Sequence, residues 1–164
     1  MLAARKGWRW LSTGEMFRES SDKEVQEVLK TGELVSDEKT YDVVREALSK
    51  VDRDTKLIVD GFPRTMAQAD WLMNSENSEG HQVEMVVVLE VPESEIQQRL
   101  SLRGRDQDKP EIVTRRMNIY RREMYPVLGY FAEKGIRIAH LDGTGTVGEV
   151  HDKIVAEIDH SELE

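Results

Sequence analysis

Lys56-Leu57-Ile58-Val59-Asp60-Gly61-Phe62-Pro63-Arg64-Thr65-Met66-Ala67-Gln68 is the stretch whose reading decides the fold. The unbroken apolar run before Asp60 predicts a short strand buried on both faces, as a parallel sheet flanked by helices requires. Gly61 and Pro63 then turn the chain. Thr65, with Gln68 three positions on, has the form of a capping box and predicts a helix carrying Trp71 and Leu72. Asp60 and Arg64 are thereby expected at the carboxyl end of a parallel strand, where open α/β sheets bind their ligands.

Outward from this stretch, strand and helix signals alternate. Upstream, Arg9-Trp10-Leu11-Ser12-Thr13 predicts a short strand, and Ser12 with Glu15 repeats the capping-box pattern. Lys23 to Lys30 sets Val25, Val28 and Leu29 on one helical face, with Gly32 placed for a left-handed cap. Ser36 is positioned to cap a helix with an acidic first turn, Asp37-Glu38, and a stripe of Tyr41, Val44, Leu48 and Val51.

Downstream, Met85-Val86-Val87-Val88-Leu89 is the strongest buried-strand signal. A helix from Pro92 leads through Arg99, Arg103 and Arg105 to a long helical segment from Pro110, with a kink expected at Pro126. Ile136 to Leu141 predicts a last strand, and Val147 to Ile158 a closing helix. Alternation of this kind means an α/β fold with a mainly parallel sheet flanked by helices.

Composition narrows the function. A chain of 164 residues is expected to form a single domain, able to bury roughly 70% of its unfolded surface. It has no cysteine, hence no disulfide framework or thiolate metal site. The opening residues lack the apolar core of a signal peptide, and no run approaches the ~20 apolar residues of a membrane span. A cytoplasmic protein is expected. The net charge of −9 argues against binding nucleic acid through bulk attraction, so an anionic ligand needs locally clustered arginines. His81, His140, His151 and His160 show no metal-ligand spacing. Gly143-Thr144-Gly145-Thr146-Val147-Gly148 fits the dinucleotide fingerprint formally, but no second strand with an acidic residue follows it.

Three segments carry a resemblance: Ser12-Thr13-Gly14-Glu15-Met16-Phe17-Arg18, Gly32-Glu33-Leu34-Val35-Ser36-Asp37-Glu38, and Asp60-Gly61-Phe62-Pro63-Arg64-Thr65 with Gln68. In order and spacing they resemble consecutive signature segments of adenylate kinases. The similarity continues through Val91-Pro92-Glu93, Arg99, Arg103, Arg105, Arg116 and Asp142-Gly143-Thr144, over nearly the whole chain.

The resemblance implies one adenylate-kinase-like domain, with residues 20–36 as an AMP-binding helical part and 103–116 as a short lid. By the same resemblance, Thr13, Gly14, Arg18, Val35, Gly61, Arg64 and Gln68 bind AMP. Arg99, Arg103, Asp108, Gly143 and Thr144 are implied on the ATP side. Arg64, Arg103, Arg105, Arg116 and Asp60 are the implied catalytic group, with Asp60 holding Mg²⁺ through water. Gln107 stands where the family has a second lid aspartate.

The family opens with a strand and a glycine-rich phosphate loop, and no G-x-x-x-x-G-K-[ST] occurs in these residues. The expectation is therefore an ATP and AMP phosphotransferase that works with arginines in place of that loop. Without the family's first strand, the strand ending at Asp60 must pair with the one ending near Val91, or a second copy must fill the gap. No nucleic-acid or membrane partner is expected. Three alternatives stay open: an AMP-binding subunit without turnover, a kinase preferring UMP or CMP, and a Gln68 that only completes its capping box.

Overall fold

The computed structural model describes residues 1–105 and 108–161. Among these residues four parallel strands and eight α-helices follow in the order α1 (Leu2–Lys6), β1 (Arg9–Ser12), α2 (Thr13–Glu19), α3 (Lys23–Thr31), α4 (Asp37–Leu48), β2 (Leu57–Asp60), α5 (Met66–Met73), β3 (Met85–Glu90), α6 (Glu93–Arg103), α7 (Pro110–Glu133), β4 (Arg137–Asp142) and α8 (Val147–Ser161). The expected alternation is present, and the fold is α/β with parallel pairing throughout.

The sheet, however, is split. β1 pairs with β2 in the register Arg9 to Leu57 through Ser12 to Asp60, and β3 pairs with β4 from Met85 with Arg137 through Glu90 with Asp142. Among the described residues β2 and β3 each have a partner on one edge only. The direct pairing of these two strands that the sequence left open is not formed. Leu57, Ile58 and Val59 are accordingly half-buried rather than buried on both faces, since a strand with one neighbour leaves part of itself open.

The two halves are held together by what packs across them. α5 places Trp71 and Leu72 on the cluster of Val44, Leu48 and Phe62, which Leu11, Leu57 and Val59 also cover, and sets Ala69 with Val127 and Phe131 in a second cluster that Met73, Val86 and Ile138 cover. Trp71 stacks on Tyr41 at 4.7 Å and meets Phe62 edge-on at 5.9 Å, an offset geometry aromatic pairs favour. Just ahead of the two strands, Lys56 Nζ reaches Glu84 Oε2 at 3.2 Å. α1 is tied to α8 by Arg5 with Asp152 at 3.2 Å and Lys6 with Asp159 at 2.6 Å.

Helix ends follow the sequence except at Ser36. Asp22 caps α3 by accepting from Glu24 N at 2.8 Å, and Gly32 ends it in the left-handed region at φ 78°. A methyl group at Gly32 would lie 2.8 Å from Ile112 Cγ2 and 3.3 Å from Arg116 Cγ, so the bare glycine lets α3 close against α7. Ser36 occupies the N-cap of α4, but its hydroxyl makes no cap bond. α7 runs unbroken from Pro110 through Pro126 to Glu133. No helix among the described residues is long and apolar enough to cross a membrane.

Candidate active site

The site begins where β1 and β2 end side by side. Ser12 caps α2 by accepting from Glu15 N, and its hydroxyl donates to Asp60 Oδ2 at 3.4 Å. Thr13, almost fully buried, donates to the carbonyl of Gly61 at 3.0 Å. Gly61 sits at φ 81°, and a methyl group there would fall 2.7 Å from Thr13 Oγ1 and 3.1 Å from Arg64 Nη2. Only a glycine lets the two side chains approach the turn this closely. The turn carries a cis bond between Phe62 and Pro63.

Arg64 is fixed at both ends. Its Nε donates to the Gly61 carbonyl at 2.8 Å, and its backbone N–H donates to Gln68 Oε1 at 2.8 Å. Gln68 is 2% exposed, and its Nε2 donates to Asp37 Oδ1 at 2.7 Å. Thr65 completes the other half of the cap by accepting from Gln68 N at 3.2 Å. The side-chain half of the box thus reaches one residue further back, to Arg64. Asp37, legible in the sequence only as part of an acidic first turn, also lies 3.5 Å from Thr65 Oγ1.

Around Arg64 the structure gathers other guanidinium groups. Arg64 and Arg116 are both made less basic, first by burial and then by positive neighbours: Arg116 acts on Arg64, and Arg103 and Arg18 act on Arg116. Asp60 and Asp108 oppose this without cancelling it. Guanidinium stays protonated under physiological conditions, so the lowered basicity reports burial of the charge, with repulsion from its neighbours second, rather than lost charge. Arg18 also lies against Gly14, where a methyl group would be 3.3 Å from its Nη1, and pairs loosely with Glu15 at 3.8 Å. Val35 buries its side chain with Phe17 and Val25, leaving its backbone as the group it can offer a ligand.

Arg103, at the end of α6, grips Asp108 with two parallel donors, Nε to Oδ2 at 2.8 Å and Nη2 to Oδ1. Asp108 also accepts from the backbone N–H of Arg105 at 3.2 Å, while the Arg105 side chain is exposed. The Arg103 bond is the main reason that the Asp108 carboxyl lies below the usual range. Gln107 lies outside the described residues.

One turn earlier on α6, Arg99 pairs with Glu95 and donates to the Gly145 carbonyl at 3.0 Å, over a shallow depression that Gln98 and Leu102 also line. Beside it a second depression lies between Val91, Pro92 and Thr144. Gly143 is required there, because a methyl group would lie 2.6 Å from Val91 Cγ2. Thr144 donates its backbone N–H to Asp142 at 2.9 Å, and Lys153 locks the same carboxylate at 2.7 Å.

The structure therefore brings Thr13, Gly14, Arg18, Asp60, Gly61, Arg64, Gln68, Arg103 and Arg116 into one connected region. Arg99, Gly143 and Thr144 form a neighbouring group, Arg99 standing about one turn of α6 before Arg103.

Comparison with known proteins gives a consistent answer. The family model described as adenylate kinase matches residues 1–136. The chain is 35% identical to the adenylate kinase of Thermus thermophilus over 94% of this chain and 86% of that protein. It is 35% identical to that of Mycobacteroides abscessus over 92% and 84%, and 33% identical to that of Maricaulis maris over 96% and 89%. Fold, clustered guanidinium groups and relatives together define a phosphotransferase of the nucleoside monophosphate kinase class. More narrowly, the chain belongs to the adenylate kinase family.

Proposed function

We propose that the chain transfers the terminal phosphoryl group of ATP to AMP, giving two ADP, with arginines supplying the grip on phosphate. The observation that carries this reading is the convergence of Arg18, Arg64 and Arg103 on the partly buried Arg116, a concentration of positive charge that suits a polyanion. Two facing nucleotide phosphates are such a polyanion.

The chemistry asks for little else. The acceptor phosphate is already anionic, so no general base is needed, and catalysis is mainly positioning and charge stabilisation. The oxygen of the AMP phosphate forms a bond to the γ-phosphorus as the bond to the β–γ bridging oxygen breaks, and that oxygen leaves on ADP. Arg18 and Arg64 hold the AMP phosphate, with Thr13 and Gly61 setting the turn and Gly14, Val35 and Gln68 bordering the base. Arg103, Arg105 and Arg116 clamp the moving group, each able to grip oxygens through two donors. Arg99, Asp108, Gly143 and Thr144 make the ATP side.

Mg²⁺ fits this arrangement. Asp60 presents an exposed carboxylate at the end of β2, loosely bonded by the Ser12 hydroxyl, and magnesium typically takes one or two carboxylates together with water and phosphate oxygens. Bound there, it would neutralise charge on the ATP phosphates. In this reading a second copy also pairs the free edges of β2 and β3; light scattering that gives a strict monomer at micromolar concentration overturns that part.

The test is a coupled ADP-formation assay on the intact 164-residue chain with Mg-ATP and a panel of AMP, UMP and CMP. Turnover with AMP, reduced at least about tenfold in Arg105→Ala, is the expected result. Turnover no greater than that of Arg105→Ala sinks the enzyme reading. Calorimetric binding of AMP without turnover leaves a nucleotide receptor instead, and preference for UMP or CMP moves the acceptor.

A further inference from the structure

We propose that Asp37 is a positioning residue of the acceptor site, fixing Gln68 and through it Arg64. The inference rests on the reading of the site just given and adds a residue that takes no direct part in it. An ionised carboxylate can only accept hydrogen bonds, and a backbone N–H can only donate. Gln68 stands between one of each: Asp37 Oδ1 lies 2.7 Å from its Nε2, and Arg64 N lies 2.8 Å from its Oε1. A side-chain amide is free to flip in most settings, but here reversal would set oxygen against carboxylate and NH₂ against N–H. The two one-sided partners leave a single orientation.

Burial makes the arrangement firm. Gln68 is 2% exposed, so water cannot replace a lost partner, and an unpaired buried amide is costly. The chain of contacts crosses three elements, from the first turn of α4 through the start of α5 to the turn that carries Arg64. The guanidinium of Arg64 is in turn folded back on Gly61 by its Nε bond. Asp37 thus sets where the 61–64 turn sits relative to α4, and neither α4 nor that turn alone could do so. The group of the acceptor site that depends on it is the Arg64 guanidinium, carried by the turn that Gln68 holds.

The test compares wild type with Asp37→Ala and Asp37→Asn by steady-state kinetics, AMP calorimetry and thermal melting. Alanine removes the acceptor and frees the Gln68 amide. The expected result is an AMP KM and Kd raised about tenfold or more, with ATP KM within about twofold and kcat within about threefold of wild type. Asparagine keeps an acceptor oxygen at the same reach and is expected to recover most of the AMP affinity. In ¹H–¹⁵N spectra of the wild type, the Gln68 side-chain amide should show one shifted, slowly exchanging proton that is lost in Asp37→Ala.

An Asp37→Ala chain that binds AMP like wild type overturns the inference. So does one whose ATP and AMP parameters worsen together, the mark of general loosening. If Asp37→Ala does not fold, the wild-type spectrum decides: two Gln68 amide protons that both exchange freely overturn the inference equally. A wild type that neither binds nor turns over AMP overturns the function proposed above and takes this role with it.

Discussion

At the scale of single residues, the site is dominated by charges held together against their own repulsion. Arg116 lies among Arg18, Arg64 and Arg103 and is partly buried, so its removal should relieve the ligand-free protein while disabling the loaded one. Arg116→Ala is expected to lower kcat/KM by at least about a hundredfold, in keeping with the large effect of a positioned arginine in phosphoryl transfer. The ligand-free melting temperature of the same variant should hold or rise. A fall of several degrees would mean that the guanidinium is structural.

Asp108 gives a second prediction at this scale. Its folded pKa is depressed, so its stabilising effect is complete above the ordinary carboxylate range and is lost as pH falls through the lowered value. Asp108→Asn should therefore lower stability at pH 7 but converge with wild type in strongly acidic solution. Melting curves between pH 7 and about 2.5 check this, the pH span bracketing the ordinary Asp value near 4. Divergence toward low pH would contradict it. The arginine side of the site was readable from the sequence as residue types in a known order. The Asp37 to Gln68 bond was not, because its members lie 31 positions apart and belong to different elements.

At the scale of elements, short strands and capped helices do the positioning. Ser12 and Thr65 were recognisable as caps because each needs only its own next two or three residues, and both accept the expected backbone N–H groups; Asp22 caps α3 in the same way without having been read as a cap. Ser36 occupies the N-cap position without a side-chain cap bond, while the adjacent Asp37 accepts a tertiary bond from Gln68. The close contact of α3 with α7 hangs on Gly32. Gly32→Ala forces a left-handed backbone and a clash with Ile112, costing about 2 kcal/mol or more, a drop of roughly 4–8 °C in melting temperature for a chain of this size. Because Arg116 Cγ is also displaced, AMP KM should rise with it. A melting temperature within about one degree of wild type would show that this junction is looser than it is drawn.

At the scale of the whole molecule, two parallel pairs share a helix layer without sharing a sheet. α5 spans them, and Lys56 with Glu84 links the chain just ahead of β2 and β3. Along each of those strands the backbone N–H groups that point away from the partner strand meet no other strand within the described residues, so in the single chain, before a second copy pairs them, alternate amides in β2 and β3 should exchange with solvent much faster than their neighbours. Amide exchange followed by NMR on the dilute protein reads this directly. Uniform protection along both strands would mean that the free edges are covered, by a second copy or otherwise.

The sequence by itself determined the elements from β1 onward, their parallel sense and the family, because strand runs, caps and turn glycines act over a few neighbouring residues; α1 was not read from it. It also marked the arginines as candidates, since their order and spacing survive in the linear chain. The tertiary structure alone decided that the sheet is divided, that β2 is only half-buried, and that Gln68 is locked between Asp37 and Arg64. Each of those depends on what distant segments bring to one place, and pairing, burial and electrostatic repulsion are properties of that assembly rather than of any local run of residues.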